Sequence, residues 1–270
     1  MNEARSLVFV KLGGSLITDK NAEFRARRDV IARLAAEVRR ALDAHPALNL
    51  LLGHGSGSFG HVVAKQYHVQ SGCEDWQGYA LTGAAAMELN HIVSAEFREA
   101  GVPVVSIQPS ASARCRAGQL IELALHPVQE VLRRGLVPLV YGDVALDEVW
   151  GSTIASTEAI FAFLAHALRP QCILLLGEVD GVYTADPRLD PTAELVPVIH
   201  AHAAADIDGA LGASHGTDVT GGMRSKVELM MQVVRDVPGL EVRLFSGLPP
   251  GLLEQVLGDP SLDAGTRVVS

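Results

Sequence analysis

The segment LVFVKLGGS, residues 7–15, decides how the chain is read. Its apolar, partly β-branched run predicts a strand buried on both faces. Lys11 interrupts that run, and a lysine inside a buried strand is costly unless it is paired. The run ends in Gly13, Gly14 and Ser15, where glycines permit a sharp turn and close backbone approach. A cation within a strand that ends in glycine points to an anion at the strand's carboxyl end. The alternative is an edge strand whose lysine points into solvent.

Outward from this segment, apolar runs alternate with helical spacing. Val30, Ile31, Leu34, Val38 and Leu42 share one helical face, followed by a strand over Leu48–Leu52. Further strands are expected at Val102–Ile107, Val137–Tyr141, Cys172–Leu176, Val196–Ile199, Glu241–Phe245 and Arg267–Val269. Helices are expected over residues 80–100 (with Met87, Ile92, Val93 and Phe97 as the apolar stripe), near 127–134, from Ser156 or Thr157 to about 167, and over about 222–236. VALDEVWGS, from Val144, reads as a surface hairpin, and EVDGVYTADPRLDP as a loop-rich section. Such alternation predicts an α/β fold: a three-layer αβα sandwich with a mostly parallel central sheet. At 270 residues the chain is read as a single domain, one continuous sheet in two lobes dividing around residues 170–180.

Composition narrows the function. A net charge of −9 without a Lys/Arg-rich run disfavours nucleic acid as partner, although a few lysines can still make one pocket positive. Three scattered cysteines read as free thiols of a reducing cytoplasm. MNEARSLVFVKLGG has no long apolar h-region, and AIFAFLAHALRPQCILLLG is broken by His166, Arg169 and Pro170. A cytoplasmic protein with no membrane partner is expected.

Two more glycine-rich stretches fall at expected strand ends. In LLGHGSGSFGH, residues 51–61, Gly55, Gly57 and Gly60 fit G-x-G-x-x-G. That spacing can cradle a dinucleotide, but the fingerprint normally opens the first βαβ unit, and here it follows the second strand. DVTGGMRSK, residues 218–226, opens a helix and puts Lys226 about one turn in. A helix amino terminus adds roughly half a positive charge, and two lysines brought together would stabilise a phosphoryl group in flight. His61 could donate to a phosphate oxygen and orient an acceptor, or be a loop histidine of no consequence. Zincin, hydrolase-elbow and Walker motifs are lacking. A phosphoryl-transfer site and a nicotinamide site both stand at this point.

KLGGS at 11–15, EVDGVYTADP at 178–187 and DVTGGMRSK resemble the amino acid kinase superfamily, whose members phosphorylate small acids and phosphates with ATP. KLGGSLITDK with HGSGSFGH is similar to its isopentenyl phosphate kinase branch, which converts isopentenyl phosphate to isopentenyl diphosphate; TGAAAMELNHIV and GVPVVSIQPSAS fit as well. The resemblance implies that Lys11 and Lys226 contact the ATP phosphates, that Lys20 reaches toward the γ-phosphate and acceptor, and that His61 holds the acceptor phosphate. Ser56, Gly57 and Gly60 would surround that phosphate. Gly13, Gly14, Ser15, Asp180, Tyr183, Asp186 and Gly222 would frame the nucleotide. Ala80, Ala84, Met87 and Ile154 would line a short apolar tail. It further implies Mg²⁺ arriving with ATP and bound through phosphate oxygens without a protein metal site, an acceptor lobe of about residues 1–170, a nucleotide lobe of about 171–270, and a homodimer. The chain departs from the pattern where the family usually has Ser-Gly-Asp. Here Ser156-Thr157-Glu158 keeps the charge that orients the lysines and adds bulk beside the substrate. HGSG in place of HGGG adds the Ser56 hydroxyl. These departures bear on the acceptor, so a kinase for a phosphonate such as fosfomycin and a non-catalytic nucleotide sensor remain rivals.

Overall fold

Apolar strands and amphipathic helices alternate through most of the chain. The computed structural model describes residues 6–19, 22–72, 76–187, 189–202 and 219–270, with the backbone alone at 61, 62, 71 and 219–221. The first half contains β1 (Ser6–Leu12), α1 (Gly14–Ile17), α2 (Arg28–Ala44), β2 (Leu48–His54), α3 (Gly57–Gln66), α4 (Trp76–Glu99), β3 (Val104–Ser106), β4 (Arg114–Arg116) and β5 (Gln119–Glu122). Then come α5 (Leu125–Arg133), β6 (Val137–Tyr141), β7 (Asp143–Asp147), β8 (Gly151–Ala155), α6 (Thr157–Leu168) and β9 (Cys172–Gly177). β10 (Val198–His200), α7 (Val219–Asp236), β11 (Glu241–Ser246), α8 (Leu252–Gly258) and β12 (Thr266–Val269) complete the described elements.

The main sheet has eight strands in the order β10-β12-β11-β9-β1-β2-β6-β3, parallel from β11 to β3, with β12 reversed against β11. β1 is therefore central, which rules out the edge-strand reading of Lys11. Alternate residues of β1 face opposite layers. Val8, Val10 and Leu12 join the core beneath α2, α4 and α8, while Phe9 joins the core beneath α5, α6 and α7. Helices cover both faces, as a parallel sheet requires. No described helix is long and apolar enough to cross a membrane.

Lys11 shares the face of Phe9, and Phe9 packs edge-on against Phe161 of α6 with ring centroids 5.1 Å apart. Gly53 of β2 is in register with Lys11. A Cβ at Gly53 would lie 2.7 Å from both the Phe161 ring and Thr157 Cγ2, so this glycine lets the start of α6 settle onto the sheet beside Lys11.

Two expectations need correction. The expected hairpin β7–β8 reaches the surface only at its tip, where Leu146, Val149 and Trp150 are exposed: Val144, Ala145, Ser152, Thr153 and Ala155 are buried, and with β4 and β5 it forms a four-stranded sheet. Its tip is fixed by Asp147, whose carboxylate accepts the amides of Ala117, Gly118, Val149 and Trp150. In α4, Met87 is 49% exposed; the buried face is made of Gly78, Thr82, Ala85, Ala86, Leu89, Asn90, Val93 and Phe97.

Gly53→Ala should cost about 1–3 kcal/mol through overpacking between β2 and α6. Urea unfolding measures it; an unchanged stability would mean that α6 is free to back away from the sheet.

Candidate active site

The carboxyl ends of β9, β1 and β2 lie side by side, and the chain leaves β1 toward β2 on one side while β9 occupies the other. This is the switch point at which open α/β sheets bind ligands. After β1, the Gly13 amide donates to the Leu176 carbonyl at 2.8 Å, and a Cβ at Gly13 would stand 2.5 Å from that oxygen. A Cβ on Gly14 would lie 2.5 Å from the Gly57 nitrogen, and one on Gly55 2.9 Å from the Gly14 nitrogen. Gly57 has φ +49° and lies against Thr18 Oγ1. The loops after β1 and β2 thus meet backbone to backbone with no room for side chains. Thr18 clamps them, its hydroxyl donating to the Gly14 carbonyl at 2.8 Å and accepting the Ser58 amide at 3.0 Å. Gly57 and Gly60 belong to α3; Gly60 makes room for Ser56, whose Oγ would be 2.6 Å from a Cβ there.

Beside these loops, one carboxylate gathers two lysines. Ser156 caps α6, its Oγ accepting the Ala159 amide at 3.1 Å, and Glu158 stands in the first turn, where the helix dipole favours a negative charge. Lys11 is 6% exposed, and its Nζ donates to Glu158 Oε1 at 2.5 Å. Lys226, from α7, brings its Nζ to 3.7 Å from the same oxygen. Burial alone would raise the Glu158 pKa; the charges of Lys11 and Lys226 outweigh it and hold the carboxyl well below the usual range. Burial, aided by Lys11, lowers the Lys226 pKa against the pull of Glu158. Two cations share one anion, which leaves a net positive charge at the crevice of an acidic protein. A cleft beside it is lined by Lys11, Gly177, Val179, Gly181, Met223 and Lys226.

The other expected site residues are distributed around this centre. Ser15 is half-buried in α1. Tyr183 donates to Asp180 Oδ2 at 3.4 Å, and its pKa is raised by burial and by that carboxylate. The Asp186 carbonyl accepts the Leu189 and Asp190 amides, closing a turn. α7 begins at Val219, so Gly222 lies in its first turn with open space where a side chain would be, and Lys226 stands two turns in rather than one. Ala84 and Met87 are exposed on α4; Ile154 is half-buried on β8, paired with Val144, whose Cγ2 lies 3.1 Å from where a Cβ on Gly83 would stand. Thr157 is buried, its hydroxyl donating to the His54 carbonyl at 2.6 Å, so that it serves the protein's own backbone. Lys20 lies outside the described residues, and so does the side chain of His61, whose backbone belongs to α3.

Sequence reasoning passed over His54. It is fully buried at the end of β2, stacked on Tyr141 at 5.5 Å, with Nδ1 3.1 Å from the Gly55 carbonyl and Nε2 3.2 Å from Asn90 Oδ1. Asn90 in turn donates to Ser106 Oγ at 2.6 Å. Burial lowers the His54 pKa to about 4, so the ring is neutral at neutral pH and supports the loop instead of adding charge. A histidine closing an apolar run was the available signal.

The profile of the amino acid kinase family matches residues 6–246. A protein of Methanothermobacter thermautotrophicus described as isopentenyl phosphate kinase is 36% identical over 97% of this chain and 98% of its own. One of Methanocaldococcus jannaschii with the same description is 32% identical over 83% of this chain and 86% of its own. An X-ray structure of isopentenyl phosphate kinase superposes with a TM-score of 0.83, at 31% identity, over 97% of this chain and 100% of that one.

Glu158→Gln should destabilise the protein by about 3 kcal/mol at neutral pH, because the buried Lys11 ammonium loses its counter-charge and the half-buried Lys226 loses its neighbour. A depressed carboxylate pKa gives stability that is present above the ordinary value of 4.5 and lost as the pH falls toward the folded value. The gap between wild type and variant in urea unfolding should therefore narrow in acid; a gap independent of pH would contradict the ion-pair assignment.

Proposed function

We infer that this chain, which belongs to the amino acid kinase family, transfers the γ-phosphate of ATP to isopentenyl phosphate, giving isopentenyl diphosphate and ADP. The observation that carries this reading is Lys11 and Lys226 gathered on Glu158 beside two glycine loops at the strand ends. An oxygen of the acceptor phosphate attacks the γ-phosphorus as the bond to the β–γ bridging oxygen breaks. That oxygen is already ionised near neutral pH, so a strong base is not required. Catalysis then consists of positioning and of stabilising charge spread over the phosphoryl oxygens.

In this reading the two lysines face the β- and γ-phosphates, and backbone amides at Gly14 and Ser15 approach the same oxygens, while the Gly13 amide, expected to join them, is spent on the Leu176 carbonyl and ties the loop to β9. The nucleotide extends past Asp180, Tyr183, Asp186 and Gly222. The acceptor phosphate lies at Ser56, Gly57 and Gly60, held by His61 with Lys20 reaching in, and its tail runs toward Ala84 and Met87. The acceptor thus belongs to about residues 1–170 and the nucleotide to about 171–270, in a cytoplasmic homodimer. Mg²⁺ supplies neutralising charge on the phosphates when bound. Glu158 is engaged by two lysines, so in this reading the ion is ligated mainly by phosphate oxygens.

The test is turnover with ATP and Mg²⁺, followed by coupled ADP release and product mass. Isopentenyl phosphate should give kcat/KM of about 10⁴ M⁻¹s⁻¹ or more. A preference for fosfomycin, or ATP binding without turnover of isopentenyl phosphate, would overturn the reading. Lys226→Ala should lower kcat by on the order of 10²-fold, like the loss of one preorganised donor; a change confined to KM would assign the lysine to binding alone. His61→Ala should raise KM for the acceptor and leave ATP affinity intact.

A further inference from the structure

The His54 carbonyl, at the end of β2, accepts two hydrogen bonds from different parts of the chain. One comes from the Gly142 amide just after β6, at 3.1 Å, and the other from the Thr157 hydroxyl that opens α6, at 2.6 Å. The residues next in sequence belong to the site. Gly55 follows His54 and packs on Gly14; Glu158 follows Thr157 and gathers both lysines. Thr157 is 1% exposed and held at both ends of its side chain. Its Cγ2 fills the space left by Gly53, and its Oγ1 lies 3.4 Å from where a Cβ on Gly142 would be. A β-branched side chain gripped in this way keeps one rotamer.

We propose that Thr157 is a positioning residue for phosphoryl transfer: its hydroxyl bond to the His54 carbonyl locks the first turn of α6 to the end of β2 and thereby fixes Glu158, with both lysines, relative to the acceptor loop. Among the described residues, both ammonium groups find their carboxylate in Glu158, so any shift of the α6 terminus alters both contacts at once. Transfer needs the reacting atoms about 3–3.5 Å apart, and a displacement of about 1 Å is costly. The proposal rests on the kinase reading for its effect on rate, but not for the geometric link.

Three variants separate the hydroxyl from the methyl. Thr157→Val keeps the packing and loses the bond, Thr157→Ser keeps the bond, and Thr157→Gly loses both. With isopentenyl phosphate, Val and Gly should lower kcat by about tenfold or more with little change in KM for ATP, and Ser should restore most of the rate. A second readout needs no turnover: the pH midpoint for chemical modification of Lys226, followed by mass spectrometry without substrate. Glu158 opposes the lowering of the Lys226 pKa, so loosening it should move the midpoint further down in Val and leave it in place in Ser. If Val lowers the melting temperature but leaves both kcat and the midpoint as in wild type, Thr157 only packs and the proposal is overturned. If wild type does not turn over isopentenyl phosphate, the functional reading fails, and the Lys226 midpoint alone decides the role of Thr157.

Discussion

A lysine buried in the central strand of a parallel sheet must have a counter-charge, and the arrangement around the crevice answers that requirement. Lys11 cannot reach solvent from β1, so Glu158 is brought to it by a helix that starts at the right height over the sheet. Gly53 clears the ground for that helix, Ser156 caps it, and Phe161 anchors its second turn on Phe9. Removing a carboxylate from water is unfavourable by itself. Lys11 offsets most of that cost and Lys226, arriving from α7, adds to the offset, so that two ammonium groups share one carboxylate beside the cleft. A phosphate chain is the kind of ligand that such an arrangement attracts.

The glycine loops supply the complementary half. Their glycines leave no gap of their own; they let the turns after β1 and β2 touch, so that backbone amides from both come close together. A single methyl at position 14 would meet the Gly57 backbone. The lysine cluster and the loops thus stand at the carboxyl ends of neighbouring strands, and under the proposed function both serve transfer between two phosphates.

Much of this was legible in the sequence because burial and charge conflict there openly. A lysine inside LVFVKLGG signals a partner, and repeated apolar runs between helical patterns signal a parallel sheet. The elements left unread have weaker local signals. β4 and β5 are short and polar, and they exist because the hairpin β7–β8 offers them an edge. α3 contains Gly57 and Gly60, poor helix formers, and its helical state is imposed by packing against the neighbouring loop. α4 buries Val93 and Phe97 of the expected stripe, but in its first half it buries small residues (Gly78, Thr82, Ala85 and Ala86) and leaves Met87 outside. His54 escaped notice because its carbonyl, not its ring, joins the two halves of the site.

The central claim is that Glu158 and Lys226 act as one unit on the phosphates. A double-mutant cycle on kcat with Glu158→Gln and Lys226→Ala tests it most directly. The account predicts strong coupling, with the double variant losing far less than the product of the two single losses. Losses that simply multiply would show that carboxylate and ammonium act independently, and would contradict the account.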